Sequence, residues 1–180
     1  MLQLPPLPTW DALHPLIIHF PIALLFVCPL FILIGALLRP AKGRPYFIAA
    51  LILLLLGTVS LFIAVHTGQA ASQLVDQDPP VGVLLQSHQA LAVETRDVFV
   101  ALSAVACGLF FIPRLLGKTD TLLITRVLPL AFLVLYAVGI IFLVNTADRG
   151  GRMVHELGVH AMISPTSEAP AAAPRNPTGE

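Results

Sequence analysis

HPLIIHFPIALL, residues 14–25, sets two histidines and two prolines at the head of the first long apolar run. Around it, no Asp, Glu, Lys or Arg occurs from Ala12 to Leu38. Such a run meets the roughly 20 residues needed to cross about 30 Å of hydrocarbon. Two more runs do the same, Pro45 to Val75 and Val127 to Ala147. A fourth, Val98 to Pro113, suffices only if its helix begins near His88 and carries Glu94, Arg96 and Asp97 into the outer leaflet. The pattern predicts an all-α, integral membrane four-helix bundle in a lipid bilayer, with helices near 14–38, 45–67, 88–112 and 125–147.

Composition points the same way. Of 180 residues, 57% are hydrophobic and 11% charged, whereas a soluble domain carries roughly 25% charged residues. Zero net charge argues against a nucleic-acid partner. Cys28 and Cys107 lie singly in apolar stretches and read as small buried hydrophobes, with no CxxC or c-type haem attachment pattern. A signal peptide is not expected, because residues 1–13 hold no Lys or Arg and the apolar run is too long.

Local signals refine the boundaries. Residues 1–12 are Pro-rich, with Trp10 placed as an interfacial anchor. Pro15 suits the first helical position, and Pro21 removes a further backbone donor beside His19. Loosened backbone at membrane depth must be buried in protein or face water, so His14 and His19 are expected to look inward. On the second helix Gly57, Ser60, Ala64 and Gly68 form a small-residue stripe, read as close helix contact or as room for a flat cofactor. Residues 68–87 read as a long polar loop that stops at Pro79-Pro80, its start TGQAASQLV able to prolong the second helix before it breaks, with Ser87 as the next N-cap. The third helix is expected to end at Pro113, and Gly150-Gly151 to break the chain after the fourth. Residues 164–180 read as a disordered tail.

The short segments 39–44 and 114–126 carry six of the ten Lys/Arg and one of the ten acids. The positive-inside rule then puts both termini on the periplasmic side of a bacterial inner membrane.

All six histidines (His14, His19, His66, His88, His155 and His160) fall toward that outer side. His19 stands 20 residues from Arg39, roughly 30 Å, and His66 stands 22 from Arg44, roughly 33 Å. His88 stands 26 residues from Arg114, roughly 39 Å, with Glu94 and Asp97 at about 26–30 Å. Three chemistries use such a layer. Haem b needs two imidazoles from different helices and cations for its propionates, for which His19, His66, His88, Arg96 and Arg152 are the candidates, with Arg149 as a further cation. A metal ion could draw on His14, His19, His66, His88, Glu94, Asp97 and His155. A quinone site could use imidazole and carboxylate as a proton relay.

HELGVH, residues 155–160, is one residue too long for the metalloprotease HExxH. Five residues rotate a helix so that the two rings stand about 140° apart, which excludes a one-face zinc pair. The same angle separates His14 from His19. Arg152, His155 and Glu156 instead suit ion pairs across the mouth of the bundle.

HPLIIHFPIALL and GGRMVHELGV together resemble a bacterial family of four-span membrane proteins known as domain of unknown function 2231. The resemblance covers roughly residues 12–160. It rests on His14, Pro15, His19, Phe20 and Pro21, on Gly150, Gly151, Val154, Gly158 and Val159, and on His88 in the third helix. Many relatives carry His or Tyr where this chain has Leu157. The association of some members with Rieske-type or cytochrome c domains implies a redox setting.

The leading expectation is therefore a non-catalytic redox subunit. It would hold haem b in the outer half of the bundle and exchange electrons with quinone or with a periplasmic cytochrome or Rieske-type partner. The alternatives are an accessory subunit of a larger respiratory or photosynthetic membrane complex, without cofactor, and a His/carboxylate metal-binding membrane protein.

Overall fold

The computed structural model describes residues 9–10, 12–119 and 121–159. Residues 1–8 and 11 of the Pro-rich start, the expected tail and His160 lie outside the described residues. The described residues form four membrane-length helices: α1 (His14–Leu37), α2 (Pro40–Ser72), α3 (Val81–Leu115) and α4 (Leu123–His155). Each packs on its sequence neighbours, and α4 closes the ring on α1. The outer faces stay apolar, with Phe20, Leu30, Leu56, Val59, Val134 and Ile141 all exposed. An outside this apolar fits hydrocarbon rather than water.

Helix ends depart from the sequence-based expectation because prolines and glycines are absorbed rather than obeyed. Pro45 and Pro113 sit inside α2 and α3. Ser87 is interior, its hydroxyl donating to the Leu84 carbonyl over 2.8 Å. The long polar loop shrinks to residues 73–80, and Pro80 precedes the first turn of α3. Gly150 and Gly151 do not break α4, which runs on to His155. It closes through Gly158 at φ 66°, where a side chain would be strained, and Val159 N–H donates back to the Met153 carbonyl over 3.0 Å.

Pro15 occupies the first turn of α1, as expected, and Ile18 keeps its helical bonds to His14 and Ile22, while Pro21 has no N–H to give the Ile17 carbonyl beside His19. Further along, Pro29 leaves the Leu25 carbonyl without its intrahelical donor. Tyr136 supplies one from α4, its hydroxyl donating to that carbonyl over 2.8 Å. Leu25, Leu54, Phe99 and Tyr136 form the centre of the core at about mid-height. The Phe99 and Tyr136 rings meet edge to face at 5.6 Å. This layer separates two cavities, one at the histidine end and one at the basic end.

Candidate functional site

The larger cavity, about 870 Å³, lies between the helices at the histidine end and is lined by His14, His88, Glu94 and His155, among others. Its size falls near the top of the usual range for ligand pockets, about 300–1,000 Å³. Small residues hollow it out. A Cβ on Gly68 would stand 2.8 Å from His14 Cε1, and one on Gly150 would stand 3.1 Å from His88 Cε1. Each imidazole thus lies against a glycine of a neighbouring helix. Along the small-residue stripe, Gly57 presses on Leu25 of α1, whereas Ala64 and Gly68 border the cavity.

The two rings are oriented by their Nδ1 atoms. His88 Nδ1 lies 3.0 Å from the Thr146 carbonyl, which can only accept, so Nδ1 carries the proton. His14 Nδ1 lies 3.2 Å from Thr67 Oγ1. Thr67 spends its own proton on the Ile63 or Ala64 carbonyl, at 2.9 and 3.1 Å. Its oxygen therefore accepts from His14. In the neutral state both histidines keep an unprotonated Nε2, with no hydrogen-bond partner among the described residues. That is the donor atom a metal or a ligand hydroxyl requires.

Hydroxyls hold this arrangement together. Thr95 and Thr146 meet at 2.7 Å between α3 and α4. Arg149 Nη1 donates over 2.9 Å to the carbonyl of Ser87, the residue before His88. Among the described residues every buried side-chain nitrogen or oxygen has a partner.

His19 and His66 stand elsewhere. Both are exposed and neither lines the cavity. His19 is turned away from His14 by the five-residue offset between them, so the expectation that both look inward is corrected. On α2 the inward position belongs to Thr67, which is fully buried, one residue past His66. His66 instead meets the edge of Trp10, ring centroids 5.8 Å apart. The structure therefore does not bring His19, His66 and His88 together.

Nor do the carboxylates join His88. Asp97 lies nine residues beyond it, about half a turn round the helix, and pairs with Arg96 at 2.8 Å while Arg96 also covers the Phe62 ring. Glu94 borders the cavity but is exposed. Arg152 pairs with Glu156 at 3.0 Å one turn further along the chain, a local pair rather than the expected tie across the mouth of the bundle. Arg96 and Arg152, the candidate propionate contacts, are thus each committed to a carboxylate. His155 borders the cavity from an exposed position at the end of α4. Among the described residues no three His, Cys, Asp or Glu side chains converge as a metal-ion site.

Thr67, Thr95 and Thr146 carry no motif that marks them in the sequence. Their one signal is spacing: Thr95 lies seven residues after His88, and Thr146 four before Gly150, each on the same helix face.

Neither a curated protein nor a solved structure matches the chain. A family model described as a predicted membrane protein, DUF2231, matches residues 10–162, nearly the whole described bundle. The chain is a member of the DUF2231 family of predicted membrane proteins.

Proposed function

We propose that the protein is an electron-transfer subunit, not a catalyst, that holds haem b in the histidine-end cavity with His14 and His88 as its two ligands. One observation carries this reading. Imidazoles from separate helices border the same cavity, each with Nδ1 engaged and Nε2 left to coordinate. Nδ1 bonding of this kind fixes ring orientation and raises ligand basicity. The cavity's volume and mainly apolar walls suit a large flat group. Bound haem would supply one-electron transfer. The protein's part is to orient the ligands, exclude water and place the site near one membrane face. By the positive-inside count that face is periplasmic in a bacterial inner membrane, within reach of quinone, a cytochrome or a Rieske-type partner.

Protein purified from membranes should show a Soret band that shifts on dithionite addition, with about one haem per chain. A colourless preparation would overturn the proposal. A second reading, an accessory subunit of a larger respiratory or photosynthetic complex, draws on His19, Phe20 and His66, which stand exposed at the same end. It predicts colourless protein that leaves the membrane with other subunits.

A further inference from the structure

The smaller cavity lies at the opposite, basic end and has a volume of about 550 Å³. Its rim carries Arg39, Arg44 and Arg114, while its depth is lined by Cys28, Leu54 and Ala106. Cys28 lies eleven residues before Arg39 and Leu54 ten after Arg44. The hollow therefore extends roughly 15–16 Å along the helices, about half of the roughly 30 Å hydrocarbon layer. It is one leaflet deep.

Charge and polarity are graded along that depth. Among the described residues no Asp or Glu lines the cavity. Arg39 and Arg44 are exposed at the junction of α1 and α2. Arg114 is half-buried and held in place, its guanidinium donating to the Phe110 carbonyl and lying over the Phe110 ring. Guanidinium groups are suited to phosphate oxygens, which they can meet with paired hydrogen bonds. Basic pockets between membrane helices recognise anionic headgroups for this reason.

We infer that this cavity binds an anionic phospholipid, its phosphate at the three arginines and one acyl chain in the hollow. A neutral apolar molecule would leave the arginines unanswered, and free phosphate would leave the hollow unfilled. The inference is independent of the haem proposal, because the two cavities lie on opposite sides of the core.

Native mass spectrometry of the full chain in neutral detergent tests it. The probes are phosphatidylglycerol, phosphatidylcholine with the same acyl chains, and inorganic phosphate. One phosphatidylglycerol per chain should be retained roughly ten- to a hundred-fold better than phosphatidylcholine, with phosphate alone not retained. Joint replacement Arg39→Gln, Arg44→Gln and Arg114→Gln should erase the preference. Ala106→Trp, which fills the hollow but keeps the arginines, should weaken phosphatidylglycerol retention by a similar factor. Equal retention of the two lipids would overturn the inference, as would phosphate binding as well as phosphatidylglycerol. So would an Ala106→Trp protein that keeps wild-type retention, and that arm decides the matter even where the arginine variant fails to fold.

Discussion

The Tyr136 hydroxyl donates to the Leu25 carbonyl at the one point where Pro29 has removed the helix's own donor. A gap in α1 is thus closed from α4, across the middle of the membrane. Tyr136→Phe should cost about 1–3 kcal/mol, the penalty for leaving a buried carbonyl unpaired. In a Pro29→Ala background, where the backbone donor returns, the same change should cost much less. A double-mutant cycle on unfolding in mixed micelles measures the difference, and equal costs in both backgrounds would break the link.

Gly150 and Gly68 matter for space. Gly150→Ala or Gly68→Ala should destabilise by about 1–3 kcal/mol through overpacking, because each methyl would push an imidazole aside. Gly151, with nothing within 4 Å, is the control. Gly151→Ala should be neutral or stabilise by up to about 1 kcal/mol through helix propensity. Thermal melting of the three purified variants checks the contrast.

The Thr95–Thr146 pair fastens α3 to α4 below His88. Thr95→Val should cost about 0.6 kcal/mol and no more than about 1.7, the range for side-chain hydrogen bonds inside membranes. Each hydroxyl already has a carbonyl of its own helix in reach, at 2.7 Å for Thr95 and 2.9 Å for Thr146. A loss well above that range would mean that the pair also sets the position of His88.

The proposed orientation rests on the basic segment carrying Arg39, Lys42 and Arg44. In intact cells a membrane-impermeant maleimide should label Asp76→Cys and leave Lys42→Cys unlabelled until the cells are broken. The reverse pattern would put the histidine end in the cytoplasm.

The four spans were legible because a water-soluble domain has little use for charge-free runs long enough to cross a bilayer. Their ends were less so. Pro45, Pro113, Gly150 and Gly151 look like breakers, yet all four lie inside helices, and in Gly150 the missing Cβ is what admits His88. The histidine layer was visible as a set of heights, but heights alone do not say which way a ring faces. His14 lies 25 residues from Arg39 and His88 26 from Arg114, so both rise roughly 38–39 Å. That match singles out the pair that shares the cavity. Rotation completes the distinction: the 140° offset between His14 and His19 lets only one of them face the bundle, and Thr67 takes the inward place beside His66.

The most direct measurement is the reduced-minus-oxidised absorption spectrum of protein purified with single histidines replaced. His14→Ala and His88→Ala should each abolish the haem signal while the protein still reaches the membrane, and His19→Ala and His66→Ala should leave it intact. A spectrum lost in His19→Ala or His66→Ala but kept in His14→Ala and His88→Ala would contradict the assignment.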